Sequence, residues 1–279
     1  MEPNQHTAII TGATSGIGKA FAHRFAENGF NLIITGRRPE ELKNVAKTLS
    51  TTYNIIVTTF IGDLTDPQIR LNLCNLIKET GKIDVLINNA GFGIDLPFYG
   101  TCITDISSMI STHIVATTEI THAVLPEMIR QRKGIIINVS SLGAFIPGLT
   151  RSMYLATKSF VHYFTESLSV EVRQFGINVQ SLCPGMTRSD FHRNHNNAEL
   201  EKKFELIKFM TPEEVVDQSL KALKKRRVLC IPGALNKLFF VIAKSLPLWV
   251  LQRISGFRNE ESIEHTPVSV LPVIASVVH

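Results

Sequence analysis

The chain alternates short apolar runs with longer segments of helical period, and this pattern restricts its fold more than any other feature. The apolar runs, most of them rich in β-branched residues, lie at 7–11, 31–35, 54–60, 83–87, 134–139, 177–183 and 228–231. The helical segments lie at 16–28, 39–50, 67–80, 103–131, 152–175 and 212–225. Strands that are apolar on both faces belong to a sheet covered by helices. The sequence therefore predicts a doubly wound α/β fold, with a seven-stranded parallel sheet and helices on both faces.

Composition and length favour one main domain in a reducing compartment. No break in composition divides the 279 residues, and the net charge of +5 is not accompanied by the aromatic interleaving typical of nucleic-acid binding. The cysteines lie far apart, without metal-ligand spacing: Cys74, Cys102, Cys183 and Cys230. We therefore expect a cytoplasmic protein that binds neither nucleic acid nor metal, with residues 1–233 forming a single domain.

The segment 234–279 differs in character from the rest of the chain. Apolar residues at helical spacing run from Leu235 to Leu246 and continue to Ile254. This apolar helical extension could cover a substrate cleft, pack against another subunit, or lie peripherally in a membrane interface through 235–254. Pro247 and Lys244 argue against a helix that spans the membrane. No function is assigned to the tail at 259–279.

A glycine-rich turn follows the first predicted strand and opens the first predicted helix. Glycine lacks the Cβ that would block a phosphate, and the helix start directs unsatisfied N–H groups at an anion. The spacing of the three glycines is GxxxGxG, and its position in a βαβ unit predicts a dinucleotide site. The residues assigned to it are Gly12, Thr14, Ser15, Gly16, Ile17 and Gly18.

The end of the second predicted strand indicates which dinucleotide binds. Enzymes that use NAD usually place an acidic residue there, whereas this chain has Arg37 and Arg38. Two guanidinium groups suit a ribose 2′-phosphate, so NADP(H) is the predicted cofactor. The alternative is that one or both arginines are merely exposed after a strand.

Polar or glycine-bearing turns also follow the third and fourth predicted strands. The carboxyl ends of parallel strands form the edge where ligands bind. Asn88 could serve only the local structure of its turn. The candidates for lining the cofactor cleft are Asp63, Leu64, Asn89, Ala90 and Gly91.

Ser141, Tyr154 and Lys158 form the candidate catalytic group. Residues four apart share a helix face, so Tyr154 and Lys158 can both face a cleft that Ser141 enters from the sheet edge. A free tyrosine loses its proton only near pH 10, so nearby positive charge is needed to make the phenol reactive near neutrality. The predicted chemistry is proton transfer by Tyr154, with Ser141 holding the developing alkoxide.

The order of these motifs resembles the short-chain dehydrogenase/reductase family over roughly residues 7–190. The resemblance implies a Rossmann-type fold, a dimer or tetramer, and a serine thirteen residues before the tyrosine, which selects Ser141 over Ser140. It also implies that Asp63 contacts the adenine and that Lys158 bonds the nicotinamide ribose. Pro184 and Gly185 would border the nicotinamide.

Two positions depart from the family pattern. Either Thr187 or Ser189 would contact the nicotinamide carboxamide, because Ser189 replaces the threonine that the family usually has four residues after Gly185. His113 stands where the family commonly has an asparagine that supports a helix kink and a proton relay. Histidine can also relay protons. Alternatively, His113 is a buried residue with its hydrogen bonds satisfied and the relay is degraded.

The predicted function is NADP(H)-dependent reduction of a lipophilic ketone or aldehyde, such as a 3-oxoacyl or sterol-like compound. A substrate loop is expected at about 188–210, where His192 and His195 are interpreted as loop residues, not metal ligands. The C-terminal extension resembles that of the DltE-like NADP-dependent branch of the family. The competing hypothesis is a non-catalytic NADP(H)-binding sensor or scaffold.

Overall fold

A computed structural model of the protein describes residues 6–94, 96–147, 151–188 and 209–257. Within these residues, seven strands form one parallel sheet in the order β3-β2-β1-β4-β5-β6-β7. The strands are β1 Thr7–Ile10, β2 Asn31–Gly36, β3 Val57–Ile61, β4 Val85–Asn88, β5 Gly134–Val139, β6 Ile177–Leu182 and β7 Leu229–Cys230. The predicted doubly wound α/β fold is confirmed.

Helices connect successive strands and cover both faces of the sheet. They are α1 Gly16–Glu27, α2 Pro39–Tyr53, α3 Pro67–Thr80, α4 Ile103–Ile110, α5 Ala116–Gln131, α6 Ser152–Val172, α7 Pro212–Lys224, α8 Ala234–Ser245 and α9 Leu248–Phe257. Proline occupies the first turn of α2, α3 and α7, where its missing N–H costs no helical hydrogen bond. Among the described residues, none of the helices is long and apolar enough to cross a membrane.

Two hydrophobic cores lie on opposite faces of the sheet. Successive side chains of a strand point to opposite faces, so Ala8 and Ile10 belong to one core and Ile9 to the other. The first core includes Phe21 and Leu42 from α1 and α2, and the second includes residues from α3, α5 and α6. Burial on both faces explains why the strands read as continuous apolar runs.

Several boundaries differ from the predicted ones. The prediction that the third strand begins at residue 54 is wrong, because α2 continues to Tyr53 and Asn54 ends it in the left-handed conformation with φ 52°. The segment predicted as one helix at 103–131 contains a π-helical turn at Ser111–Val115. The last strand shortens to two residues. Residues 189–208 of the predicted substrate loop, including His192 and His195, lie outside the described residues, as does the tail beyond 257.

The strand order reverses between β1 and β4, since β2 and β3 lie on one side of β1 and the later strands on the other. Helix crossovers diverge at such a point and leave a crevice at the carboxyl edge of the sheet. The turns after β1, β2, β4 and β5 meet at this edge. They carry the residues that the sequence predicts to bind a cofactor and to catalyse proton transfer.

Candidate active site

The turn between β1 and α1 is tight enough to require glycine. Gly12 and Gly16 adopt positive φ values of 68° and 55°, which L side chains rarely tolerate. A Cβ at Gly18 would lie 2.3 Å from the Gly12 carbonyl oxygen and 2.4 Å from Asn89 Nδ2. The start of α1 therefore packs directly against the turn that precedes it.

The N-terminus of α1 is a positively polarised end next to a guanidinium group. Ser15 begins the helix in an extended conformation, and the first turn holds no acidic residue. Arg38 Nη2 donates to Thr14 Oγ1 at 2.8 Å and to Ser15 Oγ at 3.4 Å. The helix dipole and Arg38 thus present positive charge to the same space, which suits a phosphorylated ligand.

Arg37 projects from the opposite side of the β2 terminus. Its Nη1 lies 3.5 Å from Asp63 Oδ2, and its guanidinium carbon lies 6.0 Å from the centre of the Phe92 ring. Partial burial acts to raise the pKa of Asp63, but hydrogen bonds from Thr65 and the charge of Arg37 outweigh it and lower that pKa overall. The Asp63 carboxylate is therefore ionised and placed beside the loop after β2. Leu64, the next residue, is buried.

The turn after β4 fastens to the glycine turn. Asn89 Nδ2 donates to the carbonyl oxygens of Thr11 and Gly12, each at 3.0 Å. The backbone N–H groups of Asn89 and Ala90 donate to Thr11 Oγ1. Two loops at the crevice thus form one rigid unit.

Asn88, one residue before Asn89, has a structural role. Its Nδ2 donates to Thr121 Oγ1 at 2.9 Å and to Asn138 Oδ1 at 2.8 Å, so that it links β4 to α5 and β5. These bonds support the interpretation that Asn88 serves the local structure. Gly91 instead approaches the catalytic group, because a Cβ there would lie 2.9 Å from His113 Nε2.

The structure brings Tyr154 and Lys158 together on α6. Lys158 is 5% exposed, its Nζ donates to the Val139 carbonyl oxygen at 2.9 Å, and it lies 5.8 Å from the centre of the Tyr154 ring. Burial lowers the pKa of Lys158 from its usual 10.5 to about 8. A cationic amine near neutral pH is therefore held at the carboxyl end of β5, beside the phenol.

The two adjacent serines after β5 have different surroundings. Ser140 is buried, and its Oγ donates to the Lys158 carbonyl oxygen at 2.7 Å, which fastens β5 to α6. Ser141 is half-buried, and its Oγ accepts from the Gly143 N–H at 3.1 Å. The Ser141 hydroxyl hydrogen is thus available to a ligand, as the choice of Ser141 over Ser140 requires.

His113 lies in the π-helical turn with both ring nitrogens occupied. Nε2 accepts from the Phe92 N–H at 3.1 Å, and Nδ1 lies 2.9 Å from Thr157 Oγ1. Thr157 donates its own hydrogen to the Tyr154 carbonyl oxygen, so it must accept one from Nδ1. Burial and the nearby charge of Lys158 hold the pKa of His113 well below its usual value. The histidine is a neutral residue that ties the turn after β4 to the helix that carries Tyr154.

The turn after β6 packs under α8. The Pro184 carbonyl oxygen accepts from the Leu142 N–H at 2.9 Å, and a Cβ at Gly185 would lie 2.5 Å from Asn236 Oδ1. Thr187 is buried and donates to the Gly185 carbonyl oxygen at 3.2 Å. Ser189, the alternative to Thr187, lies outside the described residues.

A small pocket lies beside Tyr154, with both polar and apolar walls. Polar groups enter it from Thr101, Arg151, Ser152 and Tyr154. Its apolar walls come from Ile94, Leu96, Phe98, Ile106, Met109 and Met153. Among the described residues, no group of histidine, cysteine and acidic side chains is arranged to hold a metal ion.

Several residues of the site carry no recognisable signal in the sequence. Phe92 and Thr157 hold His113, and Asn236 packs against Gly185 from a distant helix. The sequence could have indicated Thr157, since it lies three residues after Tyr154 on the same helix. The pocket residues at 94–109 belong to a connection whose composition indicates no particular chemistry.

Comparison with protein-family models matches residues 6–200 to the short chain dehydrogenase family. The chain belongs to this family. Its members are nucleotide-binding oxidoreductases that act on CH–OH and carbonyl groups, so the family predicted from the order of motifs is confirmed.

Two relatives with names that state a reaction are each 35% identical to this short chain dehydrogenase. Serine 3-dehydrogenase from Rhizobium radiobacter aligns over 208 residues, which cover 74% of this chain and 82% of the relative. Very-long-chain 3-oxoacyl-CoA reductase-A from Danio rerio aligns over 185 residues, which cover 63% of this chain and 56% of the relative. The match spans little more than half the length of the zebrafish reductase.

Solved structures of the family share the fold over most of the chain. A short-chain dehydrogenase from Sphingobium yanoikuyae in complex with NADPH has a TM-score of 0.76 and 29% identity, covering 87% of this chain and 96% of that one. The bulky-bulky ketone specific alcohol dehydrogenase from Comamonas testosteroni has a TM-score of 0.74 and 28% identity, covering 96% and 100%. The Rossmann-type fold is therefore shared.

Replacement of His113 tests its place between Phe92 and Thr157. His113→Asn retains an acceptor for the Phe92 N–H and a donor for Thr157, whereas His113→Leu leaves both groups buried without a partner. We expect the leucine variant to lose about 1–3 kcal/mol of unfolding free energy in urea, and the asparagine variant to lose less. His122→Leu, at an exposed position of α5, serves as the control and should change stability by less than about 0.5 kcal/mol. A leucine variant as stable as the wild type would contradict this arrangement.

The lowered pKa of Lys158 predicts a rise of stability with pH. Between pH 8 and 10.5 the unfolded chain keeps the Lys158 proton and the folded chain releases it, so the unfolded state binds more protons and stability increases. The destabilising effect of the buried charge, about 3 kcal/mol, is complete below pH 8 and is relieved across this window. We expect the unfolding free energies of wild type and Lys158→Met, measured in urea, to diverge by about this amount in favour of the wild type as pH rises. A constant difference would show that the amine is not desolvated.

Proposed function

We propose that this protein is an NADP(H)-dependent oxidoreductase that reduces a lipophilic ketone or aldehyde, such as a 3-oxoacyl or sterol-like compound. The observation that carries the proposal is the Tyr154 ring held 5.8 Å from the buried amine of Lys158, next to a small pocket with partly apolar walls. Alcohol oxidation is the same reaction in reverse. The 3-oxoacyl-CoA reductase and bulky-ketone dehydrogenase among the similar proteins fit this substrate class.

The crevice fits a phosphorylated dinucleotide. Gly12 and Gly18 allow the turn after β1 to pack closely against the start of α1 and the turn after β4, and the N-terminus of α1 supplies unsatisfied N–H groups. Arg37 and Arg38 stand where an acidic residue would favour NAD, and both are accessible for a 2′-phosphate. NADPH in the Sphingobium relative is consistent with this preference. Asp63 would lie against the adenine.

The residues of the chain supply the proton while a bound NADPH would supply the hydride. Tyr154 donates its phenolic proton to the carbonyl oxygen of the substrate. Lys158, held by the Val139 carbonyl oxygen, favours the phenolate that remains. Ser141 donates a hydrogen bond to the same substrate oxygen and stabilises the charge that develops there.

His113 acts by position in this scheme. Its two ring nitrogens are both hydrogen-bonded, which supports the alternative of a buried histidine with satisfied hydrogen bonds, so we assign it a positioning role. It holds the turn of Phe92 against α6 at Thr157, and its ring lies 6.0 Å from that of Tyr154. The proton on Tyr154 is then replenished from solvent through the pocket.

Assembly and location complete the proposal. We expect a homodimer or homotetramer formed through α5 and α6, since Phe160, Tyr163 and Val170 on α6 are exposed apolar or aromatic side chains. The assignment to the DltE-like branch and the cytoplasmic location stay predictions. A peripheral membrane contact through 235–254 also belongs to the proposal.

Replacement of Tyr154 tests the reductase directly. Tyr154→Phe removes the proton donor but keeps the ring, and we expect NADPH oxidation with lipophilic ketones and aldehydes to fall by about 10²- to 10⁴-fold. Tyr53→Phe, at the end of α2, should retain wild-type rates. Binding of NADPH without turnover on any carbonyl compound would favour the non-catalytic sensor or scaffold.

Replacement of the two arginines tests the choice of cofactor. Each of Arg37→Ala and Arg38→Ala removes a charged partner of the 2′-phosphate, so the ratio of NADPH to NADH affinity should fall by about 10- to 100-fold. Fluorescence titration with both nucleotides measures this ratio. Arg130→Ala, on α5 and paired with Glu127, should leave it unchanged. Equal affinity of the wild type for the two nucleotides would refute the assignment.

A further inference from the structure

Charge is distributed very unevenly along this chain. Of its 29 Lys and Arg residues, nine lie between Gln218 and Asn259, whereas none of its 24 Asp and Glu residues does. The remainder of the protein carries a small excess of acidic groups. The positive net charge of the protein therefore resides entirely in the segment that contains most of α7 and the helices α8 and α9.

Helix α8 has an inner face that packs on the active-site loops. The ring of Phe240 lies 4.7 Å from that of Phe145, in the turn that follows Ser141. Asn236 packs against Gly185 and donates to the Pro232 carbonyl oxygen, and Ala243 is buried. Spacings of four and three residues place these side chains along one side of the helix.

A second face of α8 consists of large apolar side chains that are exposed. Leu235, Leu238, Phe239 and Ile242 are between 45% and 62% exposed, and their spacing of three and four residues makes them neighbours. Trp249 at the start of α9 is 65% exposed. Such a contiguous patch marks an interaction surface.

We propose that this face of α8 binds peripherally to a membrane surface rich in anionic lipids. The apolar side chains enter the boundary between headgroups and acyl chains, and Lys237, Lys244 and Arg253 on α8 and α9 attract the phosphate groups. Lys237 and Lys244 lie seven residues apart on one side of the helix and flank Val241, which is 57% exposed, and Lys244 Nζ lies 5.8 Å from the centre of the Phe145 ring. A second copy of the chain is the less suitable occupant, because pairing this face with itself would bring two strongly basic segments together.

Membrane binding would also determine how the substrate arrives, and this consequence rests on the proposed reductase function. One helix separates the membrane-facing side chains from the turn that follows Ser141, a distance of about 10 Å. A lipophilic carbonyl compound dissolved in the bilayer would then reach the pocket beside Tyr154 from the surface to which the enzyme is bound. Its effective concentration there would exceed that in water.

Flotation with lipid vesicles tests the proposal without reference to catalysis. The full-length protein is mixed with vesicles of phosphatidylcholine alone, or of phosphatidylcholine with phosphatidylglycerol, and the bound fraction is measured at low and high salt. We expect binding to the anionic vesicles to be at least about tenfold stronger than to the neutral ones and to weaken with salt. Tyr154→Phe should bind as the wild type does, so a failed reductase and a failed membrane contact are distinguished.

Matched variants separate the face from the remainder of the surface. Leu238→Ser combined with Ile242→Ser should reduce vesicle binding by about tenfold or more, while Ile56→Ser, equally exposed on the far edge of the sheet, should not. Lys237→Glu should weaken binding to anionic vesicles by about tenfold, and Lys47→Glu on α2 should have little effect.

Three results would overturn the proposal. The first is absence of binding to anionic vesicles, and the second is equally strong binding to neutral and anionic vesicles. The third is a wild-type protein that is oligomeric while the Leu238→Ser/Ile242→Ser variant is monomeric. The last result would assign the face to a second copy of the chain. Folding of each variant is checked by its circular dichroism and unfolding midpoint, so that loss of binding is attributed to the altered surface.

Discussion

The burial of the Lys158 amine at the carboxyl end of β5 is the interaction on which the rest of the site depends. Removing an ammonium group from water is costly unless it is hydrogen-bonded, and here the Val139 carbonyl oxygen accepts a hydrogen bond from it. Ser140 fastens the same helix turn to the strand. Because α6 is fixed at Lys158, Tyr154 one turn earlier is also fixed, beside the small pocket. Charge, phenol and pocket are thus positioned by one contact between strand and helix.

The crevice is made rigid by bonds between loops that are distant in sequence. Asn89 joins the turn after β4 to the glycine turn after β1. His113 joins Phe92, which follows the turn after β4, to Thr157 on α6. The cofactor side and the catalytic side of the site are therefore connected through residues 89–92. This arrangement favours a site formed before ligands bind, which limits the entropy that binding must overcome.

Much of this architecture follows from local sequence. Apolar runs predict the seven strands, since both faces of the sheet are covered, and Gly18 is predictable because only glycine fits a helix start against a turn. The role of His113 depends on Phe92 and Thr157, which approach it only in the folded chain, and could not be read from spacing. The π-helical turn at Ser111–Val115 and the pocket walls at 94–109 depend on tertiary packing as well. The domain boundary predicted at 233 stays a prediction.

Transfer of deuterium from NADPH labelled at the reactive carbon of its nicotinamide tests the central claim most directly. The wild-type protein is incubated with a lipophilic ketone and NADPH that carries deuterium on either one face or the other of its nicotinamide ring. The alcohol product is analysed by mass spectrometry. We expect the alcohol to carry one deuterium at its carbinol carbon with one of the two labelled forms of NADPH, and none with the other. NADPH that binds tightly but transfers no deuterium to any ketone or aldehyde would contradict it and would identify a nucleotide-binding protein without reductase activity.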